Sequence, residues 1–259
     1  LSTLKNKVTS LGIGKDSYIT GAYATYVGQE IGQFYGWVYK GIARTQEDLD
    51  NNAVQQGANI GDCLYEDISG PNGEPDGVID AYDQTVLGSG LPKVNFGLST
   101  HMEYKGFDLN ISTYGVLNYH VSDDIYNSLN SCYGYGNKEV GMLDANRWSE
   151  DGTYLSSVPR TYAANNATLA WNDLFSSRKI QNAAYWKIAN VELGYNFPDK
   201  WFGGYVSGVR LYVSAQNLYT FTGYHGYNVD YAGGTFTPGY NFCSFPSART
   251  FMAGLHFTF

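Results

Sequence analysis

The sequence predicts an all-β protein, an antiparallel transmembrane β-barrel with long extracellular loops. Three observations carry this prediction: residues 250–259 alternate apolar with small or polar side chains, the best upstream strands run eleven or more residues, and long and short connections alternate along the chain. A period of two puts apolar side chains on one face of a strand, as in a wall between lipid and a polar lumen.

The terminal segment shows this alternation most clearly. One face of the predicted strand carries Phe251, Ala253, Leu255, Phe257 and Phe259. The last strand of a soluble β-sandwich would alternate in the same way, because a period of two reports only a half-buried strand. This segment alone therefore leaves barrel and sandwich open.

A long hairpin is predicted over residues 94–119, around a tight turn at Lys105 and Gly106. Its strands exceed the five or six residues usual in soluble sheets and match the roughly 9–11 that a tilted strand needs to cross a bilayer. Another strand is predicted at 186–197, where a shift in the apolar phase indicates a bulge near Asn190. Strand length therefore favours the barrel.

The predicted connections fall into two classes. Residues 105–106 and 198–208 form short connections, whereas 44–92, 120–184 and 222–249 form long ones rich in Gly, Asn, Asp and Tyr. Strict alternation of the two classes matches short periplasmic turns and long extracellular loops. A sandwich has no reason to keep such an order.

Strand number predicts that the wall extends beyond this sequence. Besides 209–216 and the strands above, weaker candidates lie at 1–10, 18–27 and 33–43, giving about eight, the low end of the range for such barrels. The chain starts without an initiator methionine or a signal region. We therefore expect a portion of a larger barrel, unable to close alone.

Composition excludes several other classes. No apolar run approaches the roughly 18 residues of a membrane-spanning helix, and a net charge of −8 without a basic run argues against nucleic-acid binding. The four histidines lie at no catalytic spacing, so no enzyme is predicted. The three cysteines have no metal-type spacing, and their odd number leaves at least one unpaired: Cys63, Cys132 and Cys243.

An acidic loop between residues 72 and 83 has the spacing of a calcium-binding EF-hand loop. Oxygen-bearing side chains fall at five ligand positions, and Gly77 supplies the sharp turn. The predicted ligands are Asp67, Asn72, Glu74, Asp76, the carbonyl of Val78, Asp80 and Asp83. An acidic, solvated turn without metal is the alternative, because the loop has Asn at its first position and no bidentate Glu at its last.

Several blocks, taken in order, resemble the C-terminal part of SusC/RagA-type TonB-dependent outer-membrane transporters of the Bacteroidetes. They lie at 6–12, 27–42, 76–80, 104–109, 146–148, 189–195, 213–222 and the terminal Phe259. The resemblance implies that residues 1–259 are the C-terminal portion of the barrel, without the plug domain and earlier strands. The family usually has a compact Asp-x-Asn-Gly-Asp-Gly loop, whereas here Asp67 and Asp76 are further apart, so the family's set of ligands does not transfer residue by residue.

The same resemblance implies a barrel of about 22 strands with an N-terminal plug, energised through TonB and covered by a SusD-like surface lipoprotein. It implies active import of an oligosaccharide or peptide across the outer membrane, whose lipid would surround the complete barrel. The C-terminal Phe251, Leu255, Phe257 and Phe259 would then form a signal for the barrel-assembly machinery.

Two other functions stay open at this point, a passive porin and a surface glycan-binding β module. Tyrosines in the long connections can face glycan, peptide or a partner protein, or can pack the connections together. These are Tyr133, Tyr135, Tyr224, Tyr227, Tyr231 and Tyr240.

Overall fold

The computed structural model describes residues 1–12, 14–132, 137–143, 150–161, 171–202, 207–230 and 233–258. None of the helices in these ranges is long and apolar enough to cross a membrane. Some residues named above lie outside the described residues: Tyr133, Tyr135, 146–148, Tyr231 and Phe259.

The described residues are mainly extended. In chain order the strands are β1 (Ser2–Thr3), β2 (Ser17–Thr20), β3 (Tyr23–Tyr26), β4 (Gln33–Gly36), β5 (Tyr39–Ile42), β6 (Cys63–Tyr65), β7 (Thr85–Ser89), β8 (Val94–Tyr104), β9 (Phe107–Leu117), β10 (His120–Asp123), β11 (Gln181–Asn182), β12 (Tyr185–Phe197), β13 (Gly208–Thr222), β14 (Tyr240–Asn241) and β15 (Thr250–Thr258). The α-helices are α1 (Gln46–Asp50) and α2 (Asp124–Leu129), and short 3-10 helices lie at Ala81–Asp83, Val140–Leu143, Ser177–Lys179 and Asp199–Trp201.

One large sheet organises the chain. Its six strands, in the order β1-β8-β9-β12-β13-β15, pair antiparallel throughout. The predicted β8–β9 hairpin is confirmed, and its turn residues Lys105 and Gly106 have φ of 48° and 87°. Two positive φ values characterise the turns whose twist matches that of the flanking strands.

The alternation of connections is also confirmed. The short connections β8–β9 and β12–β13 lie at one end of the sheet. The long ones lie at the other end, and we call 4–93 the first, 118–184 the second and 223–249 the third connection. The third connection ends where β15 begins, so the chain returns to the short-turn end.

The weaker strand predictions were wrong in extent. Only β1 forms within 1–10, segment 18–27 divides into the hairpin β2–β3, and 33–43 divides into β4 and β5, which join different small sheets. In the described part the large sheet has six strands, not about eight. The physical reason is burial: Tyr23 and Phe34 are 5% and 0% exposed, and Phe34 packs against Tyr23 and against Phe175 of the second connection.

The predicted bulge is confirmed. The register of β12 against β9 and β13 shifts between Ile188 and Asn190. On β13 the matching irregularity includes Asn217, whose φ is 52°. An extra residue bends a strand and changes which face its next side chains occupy, which explains the phase shift in the sequence.

Small sheets inside the connections hold most of the core. They are β2-β3-β4-β7, β11-β10-β14 and β5-β6. One buried cluster contains Val121, Tyr185 and Tyr224, and another surrounds Cys63 and Tyr65. The large sheet, by contrast, leaves many apolar side chains exposed, including Leu98, Leu193 and Leu255.

Candidate functional site, a two-faced wall and an interlocked mouth

The large sheet has one apolar and one polar face. Cross-strand pairing aligns apolar side chains in continuous rows, one of which is Met102, Leu109, Leu193, Val213 and Ala253. The opposite face carries polar rows. The row beside the bulge in β12 consists of Ser99, Ser112, Asn190, Gln216 and Thr250. Period two along each strand and regular register across strands produce this division.

Aromatic side chains border the apolar face at both ends. Near the short turns, ring centroids of Phe107 and Tyr195 are 4.7 Å apart and those of Tyr195 and Phe197 are 5.0 Å apart. Near the long connections, Trp186 stacks on Phe221 at 5.1 Å, and these side chains are 44% and 47% exposed. Exposed aromatic rows on either side of an aliphatic band are typical of the two membrane interfaces of outer-membrane barrels.

The spacing of the two rows fits a bilayer. Trp186 and Tyr195 lie nine positions apart on β12, or about 30 Å at about 3.4 Å per residue. With a strand tilt of about 40°, the height between the rows is about 23 Å, close to the roughly 25 Å apolar band of such barrels.

A charged network occupies the polar face near the short turns. Arg210 Nε donates to Asp108 Oδ2 at 3.0 Å, and Arg210 Nη2 donates to Glu192 Oε1 at 2.8 Å. Asn196 Nδ2 also donates to Asp108 Oδ2, at 2.9 Å. Gly194 lies against the guanidinium of Arg210, and a Cβ atom at Gly194 would collide with that group. Buried charges need such partners. The network therefore fixes the positions of these polar side chains on the polar face.

A buried carboxylate joins the first and second connections. Asp62 is 0% exposed and accepts from Arg160 Nε at 2.5 Å and Arg160 Nη2 at 2.8 Å. Asn172 Nδ2 donates to the same carboxylate at 2.7 Å, and its Oδ1 accepts from the Cys63 backbone at 2.6 Å. The bidentate guanidinium contact fixes geometry as well as charge.

A second buried carboxylate joins the second and third connections. The hydroxyl of Tyr224 and the amide of Asn241 both donate to Asp123 Oδ2, the latter at 3.0 Å. Asp123 Oδ1 accepts from the backbone of Tyr126 at 2.8 Å and so caps α2. Burial, followed by the bond to Asp123, raises the pKa of Tyr224, so this phenol stays protonated and donating.

Glycines join the first and third connections. Pro238 is fully buried, and a Cβ at either Gly32 or Gly90 would collide with it. Gly239 also lies against Gly90 of the first connection, and its carbonyl accepts from the backbone of Ser122 in the second connection at 2.9 Å. The three connections therefore interlock pairwise at one end of the sheet, which we call the mouth.

The predicted calcium loop is held largely by its own hydrogen bonds. Asp83 is buried; its Oδ1 accepts from Ile68 N at 2.8 Å, and its Oδ2 accepts from Asp80 N at 2.8 Å. Asp80 Oδ1 accepts from Tyr82 N at 2.7 Å. Asp83 therefore closes the loop through backbone amides, a role that its spacing in the sequence does not reveal.

The remaining loop oxygens fit a cation better. Asp67 accepts from Gly77 N at 2.7 Å through Oδ2, while its Oδ1 is buried without a hydrogen-bond partner. Asn72, Glu74 and Asp76 are exposed. No group of three or more His, Cys, Asp or Glu side chains converges in the described residues, so any ion there would also need amide, carbonyl or water oxygens. Calcium binding stays a prediction.

Other predicted residues can now be placed. Phe251, Leu255 and Phe257 lie on the apolar face of β15 and are exposed. Tyr224 is buried in the mouth, whereas Tyr227 is 62% exposed. Of the cysteines, Cys63 and Cys132 are buried thiols and Cys243 is an exposed one.

Comparisons with known proteins agree with this architecture. No protein-family model matches the chain. TonB-dependent receptor P3 of Formosa agariphila is 30% identical over 98% of this chain and 26% of the receptor. TonB-dependent receptor SusC of Bacteroides thetaiotaomicron is 26% identical over 81% of this chain and 21% of the receptor. The chain thus spans about a quarter of these relatives.

Solved structures show the same fold. The RagAB peptide transporter matches with a TM-score of 0.73 and 20% identity, over 98% of this chain and 25% of that one. The RagAB peptide importer in its open-open state matches with a TM-score of 0.71 and 21% identity, with the same coverage. The chain is therefore a relative of SusC/RagA-type TonB-dependent receptors, as its sequence blocks indicate.

Proposed function

We propose that this chain forms part of the wall and of the external mouth of a TonB-dependent transporter that imports a bulky nutrient across the outer membrane. The observation that carries the proposal is the sheet itself, with an apolar face bordered by two aromatic rows and a charged, hydrogen-bonded opposite face. The apolar face meets lipid and the polar face lines the lumen.

The imported nutrient is an oligosaccharide or a peptide. The similarity to the receptor named SusC and to the RagAB peptide importer supports nutrient import and a SusD-like surface lipoprotein as partner. Such a lipoprotein would rest on the mouth, whose connections interlock into a continuous surface. TonB would act through parts of the transporter outside this sequence, and the rest of the barrel would pair with the edges of the sheet.

The test uses the full-length transporter in its native outer membrane. Deleting the gene should abolish accumulation of labelled oligosaccharides or peptides, and collapsing the proton gradient with a protonophore should do the same in wild-type cells. Uptake that survives the protonophore but not the deletion would instead indicate a passive porin. Unchanged uptake with a protein that dissolves without detergent would indicate a glycan-binding module.

A structural calcium ion in the first connection belongs to the same proposal. The available oxygens are those of Asp67, Asn72, Glu74, Asp76, the carbonyl of Val78 and the free oxygen of Asp80. The buried, unpartnered Asp67 Oδ1 supports this, because buried carboxylate oxygens ordinarily have a partner. When bound, the ion would cross-link the loop.

Outer-membrane assembly is proposed to depend on the C-terminal strand. Phe251, Leu255 and Phe257 present an exposed apolar row on β15, and Phe259 follows in sequence. Replacing Phe259 by Asp should lower the amount of transporter in outer-membrane fractions while leaving uptake per molecule unchanged. Normal abundance of that variant would contradict an assembly role, and Phe259→Leu is the matched control.

A further inference from the structure

A cavity of about 350 Å³ lies at the C-terminal end of β13, beside residues of the third connection. Its lining includes Lys187, Asn217, Tyr219, Tyr227 and Arg249. The volume lies within the roughly 300–1,000 Å³ of small-molecule sites. It is large enough for one sugar ring or one amino-acid residue, which makes it a subsite and not a whole binding site.

The cavity lies where β15 no longer pairs with β13. The pairing of β15 with β13 stops at Gln216 and Thr250, whereas β13 continues to Thr222. No described strand pairs with residues 217–222 of β13 on that side. Backbone groups along this free edge add hydrogen-bonding capacity to a cavity that already has polar walls.

The charge of the lining is unusual for this chain. The sequence has 24 acidic and 16 basic residues, yet the described lining has two cations and no acidic side chain. Lys187 is buried and paired with Asp230 at 2.6 Å. Arg249 has no ion pair among the described residues, so its guanidinium is available to a ligand.

Arg249 is also positioned by its neighbours. Asn217 Nδ2 donates to the carbonyl of Ala248 at 2.9 Å, which fixes the backbone immediately before Arg249. Asn217 has a φ of 52°, a conformation that Asn adopts more readily than most residues. The bulge in β13 therefore sets the place of the arginine.

We infer that this cavity is a subsite for an anionic group of the imported cargo, with Arg249 binding the anion and Tyr227 packing against the adjoining ring or side chain. Arg presents a planar fork of donors that suits carboxylate and phosphate. Tyr227 is 62% exposed, and such a ring stacks on sugars or apolar side chains. The inference rests on the proposed import function.

The experiment measures binding to the purified full-length transporter by calorimetry with two matched probe pairs. The first pair is trialanine and its C-terminal amide; the second is a glucose trisaccharide and its counterpart ending in glucuronic acid. Wild type should bind the member with the extra carboxylate about tenfold more tightly in at least one pair, as expected for a charge-assisted hydrogen bond. A preference in the first pair only indicates a peptide carboxylate, and one in the second pair only an acidic glycan.

Variants assign that preference to the cavity. Arg249→Gln should remove it, Arg249→Lys should keep part of it, and Lys15→Gln, which changes an exposed cation outside the cavity lining, should keep all of it. Equal affinities within both pairs, no measurable binding of either carboxylate probe, or a preference that persists in Arg249→Gln would overturn the inference. Proton-gradient-dependent uptake is measured separately, so these outcomes refute the subsite without refuting import.

Discussion

At the scale of single residues, buried charges determine how the mouth holds together. Asp62 and Arg160 lie 98 positions apart in sequence and form a bidentate pair with the carboxylate fully buried. Removing one partner of such a pair is costly, because the other charge is left in a poorly solvated site.

Replacing Arg160 by Met should therefore loosen the contact between the first and second connections. We expect a loss of about 3 kcal/mol in local stability, the low end for a buried pair, because the Arg160 side chain is 22% exposed. Hydrogen exchange of residues 59–65 in the full-length protein measures it. The double variant with Asp62→Asn should recover part of the protection, and unchanged exchange in the single variant would contradict the prediction.

Thiol chemistry provides a second test at this scale. Cys243 is exposed, whereas Cys63 and Cys132 are buried, and burial raises the pKa of the Cys63 thiol to about 12. A raised thiol pKa means that the reactive thiolate is scarce below that pH. At pH 8 a maleimide should label Cys243 alone among these three in the folded protein, as read by mass spectrometry of the peptides.

Cys243→Ser is the matched control and should remove that label. Unfolding in denaturant should expose all three thiols. Rapid labelling of Cys63 in the folded protein would show that the cluster around it is open.

At the scale of elements, features that depend on the local sequence pattern were predictable, and features that depend on distant contacts were not. The β8–β9 hairpin and the bulge at Asn190 follow from period-two alternation and its phase, which are local properties. The division of 18–43 into four short strands depends on burial against other connections, and Phe34, for example, lies 6.2 Å from Phe175 between ring centroids. Contacts between such distant segments produce no repeating pattern in the sequence.

The acidic loop yields a prediction that separates its two roles. Asp83→Asn should destabilise the loop by about 1–3 kcal/mol with or without calcium, because buried backbone amides lose a charged acceptor. Asp76→Asn should have little effect in chelator and should weaken any protection that calcium provides. Hydrogen exchange of residues 67–80, with calcium and with chelator, measures both.

Protection of the Asp83→Asn loop equal to wild type in chelator would contradict the closing role of that carboxylate. Absence of any calcium-dependent protection in wild type would remove the ion from the proposal and leave the hydrogen-bonded loop intact.

At the scale of the whole molecule, the proposed function requires the large sheet to separate lipid from an aqueous lumen. Ala215 lies on the apolar face midway between the aromatic rows, and the next residue, Gln216, lies on the polar face. An arginine facing the bilayer midplane costs about 2–4 kcal/mol in such barrels, whereas one facing the lumen costs much less.

Ala215→Arg should therefore reduce the folded transporter recovered from outer membranes, and Gln216→Arg should leave it near the wild-type level. Heat-modifiable migration on gels measures the folded fraction. Equal recovery of both variants would show that the two faces do not meet different solvents.

The large sheet was predictable from sequence because its apolar and polar faces give each long strand a period of two. The mouth was not, since its contacts involve single residues such as Asp62, Asp123 and Pro238, each paired with a distant segment. The anionic subsite at Arg249 was missed for the same reason. It lies where β13 extends beyond the end of its pairing with β15, and the sequence pattern does not show where strand pairing ends.

Gly32 and Gly90, which leave room for Pro238, limit how the sequences of the three connections can change independently. Because Pro238 fits only where both positions lack a side chain, a third connection grafted alone from a relative would meet a mismatched surface. Exchanging all three connections together would preserve their mutual fit. New cargo specificity in this architecture is therefore expected to be inherited as a set of connections, with the wall beneath them reused unchanged.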